Sequence, residues 1–242
     1  MRVAVFGDVH GNAFALRAVL ADIRRAAPDL TVNLGDTLWG AADPATAWAL
    51  QREHAPPTVR GNTDERLAGQ RAGKEKMRQW VLSQVPADVP GTLGALPTFA
   101  DLAGGELRAA HGSPRSPWED LLLSEEGGST RPAGRREVRE RLAGFGGAVC
   151  VVGHTHWEML AVVDGVSVVN VGPVSRQKDG LPLARWALLT RTAGQRGHWN
   201  IEFRRCPYDK EAAAAWAREH GPASLAEKEA QQLLSGREEG AA

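Results

Sequence analysis

Val3-Ala4-Val5-Phe6-Gly7-Asp8-Val9-His10-Gly11-Asn12 decides how the chain is read. Its apolar start, residues 3–6, has the length and composition of a buried strand. The run ends in a carboxylate and an imidazole two residues apart, and at strand spacing such residues project to the same side. Asp8 and His10 can therefore hold one cation between an oxygen and a nitrogen donor, while Gly7 and Gly11 permit a turn and leave room for a ligand. Asp-x-His at a strand end also occurs as a helix cap beside a surface histidine, so the stretch alone leaves both readings open.

Working outward, residues 13–27 place Leu16, Val19, Leu20 and Ile23 on one face and Arg17, Asp22, Arg24 and Arg25 opposite, an amphipathic helix that Pro28 ends. Residues 30–34 form a second strand, giving a strand-helix-strand unit of the α/β type. Asp36 follows Gly35 at that strand's carboxyl end, where open α/β sheets place ligands and where a turn residue would equally belong. A helix over 44–54 and a third strand over 57–60 lead to Gly61-Asn62-Thr63-Asp64. Residues 64–83 are charged and helix-prone. Two antiparallel strands, 97–102 and 106–110, turn at Gly104-Gly105 and deliver His111-Gly112-Ser113-Pro114.

Residues 115–147 read as an insertion: a helix over 118–123, a flexible link over 125–134 and a charged helix over 135–142. It is either a lid beside the site or an ordinary surface connection. The strand over 148–152 ends in Gly153-His154-Thr155-His156, and further strands run over 159–163, 166–171, 184–189 and 198–205. The tail from Tyr208 to Ala242 is helical and charged and is expected along one edge. With no repeat and no clear linker, residues 1–242 are expected to form one domain.

At 242 residues and 43% hydrophobic content the chain can bury a substantial core. Its apolar runs are too short for a membrane span, and Met1-Arg2-Val3 passes directly into a strand, so a signal peptide is not expected. Cys150 and Cys206 are far apart and in no metal-ligand spacing, and read as reduced structural residues of a cytoplasmic protein. With 29 basic and 29 acidic residues, bulk electrostatic binding of nucleic acid is not expected, although a local groove for a short phosphate ester is compatible. The oligomeric state is open.

Collected, the candidate ligands are Asp8, His10, Asp36, Asn62, His111, His154 and His156, each at or just past a strand end and all but His156 beside a glycine. A lone histidine is usually a core or surface residue, but this recurrence of oxygen and nitrogen donors is hard to explain by packing. Two dications against two carboxylates and a bound hydroxide leave a site of roughly +1, which attracts a phosphate ester. A pair about 3.5 to 4 Å apart can clamp phosphoryl oxygens and lower the pKa of a bridging water. Nitrogen, carboxylate and amide donors without thiolate suit Mn, Fe, Zn, Ni or Co.

These motifs, in this order, resemble the calcineurin-like metallophosphoesterase superfamily: Gly7-Asp8-Val9-His10-Gly11-Asn12, Gly35-Asp36 with Gly40 downstream, Gly61-Asn62-Thr63-Asp64, His111-Gly112 and Gly153-His154-Thr155-His156. His111-Gly112-Ser113-Pro114-Arg115 and the ending Arg205-Cys206-Pro207-Tyr208-Asp209 resemble its branch of YfcE-like phosphodiesterases. The resemblance implies a four-layer α/β/β/α sandwich of two mixed sheets flanked by helices. It also implies one metal on Asp8, His10 and His156, another on Asn62, His111 and His154, and the Asp36 carboxylate between them. Manganese is the metal it suggests.

The chain departs from the family at Thr63, where many phosphatases of the superfamily carry a histidine thought to protonate the leaving alcohol. Threonine cannot do so at neutral pH, so the resemblance implies chiefly a phosphodiesterase for small nucleotide-type or 2′,3′-cyclic diesters. A phosphomonoesterase or protein Ser/Thr phosphatase is the alternative, and a non-catalytic binding module a further one. Asp64 would then cap the following helix. A second departure is Asn170-Val171-Gly172-Pro173-Val174-Ser175, where relatives usually read Asn-Pro-Gly-Ser-Val-Gly. Asn12 is expected to hydrogen-bond the substrate phosphate, while Arg115 and Arg176 read equally as phosphate clamps or surface charges.

Overall fold

The computed structural model describes residues 1–192, 194–195 and 197–237. In chain order the first half runs β1 (Arg2–Phe6), α1 (Ala13–Ala26), β2 (Leu30–Asn33), α2 (Pro44–His54), α3 (Asn62–Leu67), α4 (Glu75–Gln84) and α5 (Val89–Gly94). Next come β3 (Phe99–Leu102), β4 (Leu107–Ala110), β5 (Leu123–Glu126), β6 (Ser129–Pro132), α6 (Arg135–Arg141) and β7 (Val149–Val152). The chain closes with β8 (Glu158–Val163), β9 (Val166–Val171), β10 (Ala184–Arg191), β11 (Trp199–Cys206), α7 (Lys210–His220) and α8 (Ala226–Ser235).

Two mixed sheets result, ordered β11-β10-β1-β2 and β3-β4-β7-β9-β8. The pleat of β1 explains why they face each other: Val3 and Val5 join Val32, Leu107, Val149, Val151 and Val169 in the core between the sheets. Ala4 and Phe6 point the other way, onto Leu16, Val19, Leu20 and Ile23 of α1. Strand β1 thus buries both faces, and a buried Phe6 or Val5 contributes roughly 1.5 to 3 kcal/mol. Outside the second sheet, Cys150, Val152 and Val168 are covered by Leu121, Leu122, Val138 and Leu142. This is the expected sandwich, with helices on both outer faces. The tail forms the antiparallel pair α7 and α8, whose Ala213, Ala214, Ala217 and Leu233 pack on Ala41 and Ala42; residues 238–242 of the expected tail lie outside the described residues.

Four local expectations are corrected or refined. The third strand over 57–60 is reduced to one parallel bridge, Asn33 to Thr58, because Pro56 and Pro57 bring no N–H to a ladder. Residues 64–83 are two helices, α3 and α4, separated where Gly69 and Gly73 adopt φ of 76° and 107°. Residues 118–122 form turns and bends and Leu123 opens β5, in place of a helix, following Pro114 and Pro117, and Leu121 and Leu122 serve as cover for the second sheet. The link over 125–134 is the ordered hairpin β5–β6, turning on Gly127 and Gly128 at φ of 59° and 79°. Its neighbour α6 packs Val138 into the cover of the second sheet.

Candidate metal centre

The loops that follow β1, β2, β4 and β7 meet at one end of the sandwich and are tied to one another by backbone. Asp8, His10 and Gly11 donate N–H to the carbonyls of Gly35, Asp36 and Thr37, and Gly153 donates to that of His111. Asp8, His10, Asp36, His154 and His156 all sit in the left-handed region, at φ of 53°, 49°, 54°, 69° and 65°. Non-glycine residues adopt it at a cost, and here the strain turns consecutive side chains toward one point.

That point gathers all seven candidate ligands. The donor atoms of Asp8, His10 and His156 lie within 4.8 Å of one another, as do those of Asp8, Asp36 and His111. Asp36 reaches both groups, one oxygen 3.6 Å from His10 Nε2 and the other 3.5 Å from His111 Nε2. Asn62 Oδ1 lies 3.0 Å from His111 Nε2 and 3.1 Å from His154 Nδ1.

The tautomers follow from the backbone. Nδ1 of His10, His111 and His156 contacts the carbonyls of Trp39 (3.1 Å), Leu34 (2.8 Å) and Arg176 (2.6 Å), and a carbonyl can only accept. Each ring therefore spends its Nδ1–H outward and turns Nε2 inward. Two such nitrogens, of His10 and His156, stand 3.1 Å apart. Facing lone pairs repel unless a cation lies between them, and carboxylate oxygens stand beside both rings. The donor set fits a pair of divalent cations.

The model of the calcineurin-like phosphoesterase superfamily domain matches residues 1–193. The chain belongs to this superfamily. A metallophosphoesterase from Sphaerobacter thermophilus shares 27% identity and superposes with a TM-score of 0.75, covering 98% of this chain and 100% of that one. A protein from Pyrococcus horikoshii OT3 superposes equally well, at 0.75 with 16% identity, covering 98% and 99% of the two chains. The phosphoesterase Yfce from E. coli is also similar, at 20% identity and a TM-score of 0.48 over 79% of this chain and 89% of that one. No protein of curated function matches the sequence.

In this calcineurin-like phosphoesterase the charges of the centre are set by burial and by each other. Burial raises the carboxyl of Asp36, and the Asp8 charge pushes it the same way. Burial also works to raise Asp8, but His156, His111 and His10 outweigh it and hold that carboxyl below its usual range. Burial keeps His10 well below its ordinary value, helped by Arg176 and His156, and takes His154 down to about 3. Both rings are therefore neutral and present lone pairs. His111 moves upward, because Asp36 and Asp8 overcome its burial.

Several residues beside the centre do more than the sequence reading assigns them. Asp64 accepts N–H bonds from Asp36 (2.9 Å), Thr37 (3.1 Å) and Gly61 (2.9 Å), so it clamps the Asp36 loop as well as capping α3. Burial, reinforced by Asp36, pushes its carboxyl up to about 6. Asn170 donates to the Gly153 carbonyl at 2.6 Å and to Thr155 Oγ at 2.9 Å, fixing the turn that carries His154. His154 Nε2 faces Asp120 at 3.6 Å, the one carboxylate that the insertion brings to the ligands among the described residues. The Gly61-Asn62-Thr63-Asp64 motif flagged Asp64 only as a helix cap, and backbone acceptors such as the Trp39 carbonyl leave no signal at all.

Asn12 is corrected. It is fully buried, its Oδ1 caps α1 by accepting from Ala15 N at 3.0 Å, and its amide donates to Ser175 Oγ at 3.0 Å, which commits the side chain away from a phosphate. Arg115 is paired with Glu119, and Arg176 with Glu229.

Proposed function

We propose that this chain is a phosphodiesterase that works with two divalent metal ions, manganese by preference, on small nucleotide-type or 2′,3′-cyclic diesters. The observation that carries the reading is the convergence of inward-facing histidine nitrogens on the buried Asp8 and Asp36 carboxylates. Asp8, His10 and His156 would hold one ion, Asn62, His111 and His154 the other, and Asp36 would serve both. Bound there, the pair supplies Lewis-acid polarisation of the phosphoryl group and a water activated near neutral pH.

The protein's own part is positioning. Carbonyls of Leu34, Trp39 and Arg176 fix three imidazoles. The Thr63 N–H holds Asp36 at 2.8 Å, and Asp64 holds the backbone behind it. Thr63 brings no group that protonates an alkoxide at neutral pH, which favours diesters with good leaving groups over alkyl monoesters. Buried, unpaired Cys150 and Cys206 support a cytoplasmic setting.

Turnover of bis(p-nitrophenyl) phosphate, p-nitrophenyl phosphate and a phosphopeptide by the manganese-loaded protein tests the reading. The diester is expected to be turned over fastest and chelation to abolish the activity. Preference for the phosphopeptide would replace the reading with a protein phosphatase.

A further inference from the structure

Arg176 serves the centre with its backbone and faces away from it with its side chain. Its carbonyl lies 2.6 Å from Nδ1 of His156, and the residue holds φ of 63°, in the left-handed region. One guanidinium nitrogen donates to both carboxylate oxygens of Glu229, each at 2.7 Å. The two side chains are only 15% and 12% exposed, so this is a largely desolvated pair.

Glu229 belongs to α8, which lies beyond residue 193, where the superfamily match ends. The helix is fixed in place: Ala230 and Leu233 pack with Ala41, Ala42 and Ala213, and the Gly180 N–H donates to the Gly236 carbonyl at 2.9 Å.

The loop that carries Arg176 is placed by other bonds. Val174 and Ser175 donate N–H to the carbonyls of Gly7 and Asp8 at 3.0 and 2.9 Å, and the Gln177 amide donates to the carbonyls of Val174 and Leu183 at 3.1 and 2.8 Å. What the Arg176 side chain adds beside the ligands is therefore charge. That charge reaches the centre: after burial, it is the largest influence holding His10 below its ordinary value. A guanidinium without its carboxylate would oppose a dication on Asp8, His10 and His156, in surroundings that screen it poorly.

We propose, on the two-ion reading of the centre, that Glu229 is a positioning residue that acts through Arg176. Its carboxylate cancels the guanidinium and keeps it turned toward α8, so the C-terminal helix sets how tightly the Asp8, His10 and His156 side holds a divalent cation.

The test is calorimetric titration of manganese into the metal-free wild type, Glu229→Gln, Arg176→Gln and the Glu229→Gln/Arg176→Gln double variant, with circular dichroism to report on the fold. Glu229→Gln is expected to weaken one of the two ions at least about tenfold, the scale of a lost partner behind a ligand. Arg176→Gln, left with an uncancelled carboxylate, should bind that ion most tightly, and the double variant should return to near the wild type. A pair that merely braces the fold would make both single variants weaker and the double no better. That result, or unchanged affinity in Glu229→Gln, would overturn the proposal. Should Glu229→Gln fail to fold, Arg176→Gln and the double variant still decide, since equal manganese affinity in these two overturns it as well. A wild type that binds two ions yet leaves the aryl diester intact would overturn the phosphodiesterase reading alone, and one that takes up no manganese would overturn both.

Discussion

Asp64 touches no ligand side chain other than through backbone, yet three N–H groups of the ligand loops end on it. Truncation to alanine leaves these buried donors without an acceptor, each costing about 1 to 3 kcal/mol. Asp64→Ala is therefore expected to lower the urea midpoint by the equivalent of roughly 3 kcal/mol or more and to weaken manganese binding, measured by denaturation and by metal titration. Asp36→Asn should behave differently. It removes a carboxylate that burial and Asp8 both disfavour, so the metal-free variant should be at least as stable as the wild type, while turnover falls at least about a hundredfold. The convergence of the seven candidate ligands was legible because each carries a side-chain donor and all but His156 stand beside a glycine. Asn12 was misread because an amide before a helix serves equally as a cap and as a phosphate donor, and only packing decides which. The bracing carbonyls were illegible, since every residue has one.

At the scale of elements, the glycines of the motifs are closeness devices. A Cβ on Gly61 would overlap the backbone N and carboxylate of Asp36, and one on Gly40 would overlap the His10 carbonyl. Gly61→Ala should thus displace the Asp36 loop and abolish manganese binding without unfolding the sheets, a separation that circular dichroism and metal titration together can read. The β5–β6 hairpin illustrates a different dependence. Glu137 accepts from Arg131, the Gly134 N–H and Ser124, and these bonds lower its carboxyl from 4.5 to about 2. A lowered folded-state pKa means that the stabilisation is complete above about 4.5 and disappears as pH falls toward about 2. The advantage of wild type over Glu137→Gln in urea should accordingly be present at neutral pH and vanish across that acid window. Sequence pattern missed this hairpin because Gly127-Gly128-Ser129-Thr130 looks like a linker, and its pairing partners only appear in three dimensions. It likewise read Leu121 and Leu122 as a helix, when their apolar character serves to cover the second sheet.

For the whole molecule, the centre is a seam. Asp8, His10 and Asp36 come from the loops of one sheet, and His111, His154 and His156 from the loops of the other, so cations bound there would fasten the two sheets together. Ligands that bind only the folded state stabilise by about 2.7 kcal/mol at a hundred times their Kd. Chelation of the loaded protein should therefore lower Tm by several degrees, with readdition of manganese restoring it, as calorimetry would show. The apolar run of β1 marked a buried strand and the motif order, through the family resemblance, implied the sandwich, whereas the bridge at Thr58 and the break in residues 64–83 depended on proline and glycine in context. One consequence of the seam concerns synthesis. A nascent chain can assemble the centre only after residue 156 has emerged from the ribosome, and the carbonyl that steadies His156 follows twenty residues later at Arg176. Until then the early donors wait beside an incomplete second sheet, so ion uptake would time the moment at which the two halves of the protein first meet.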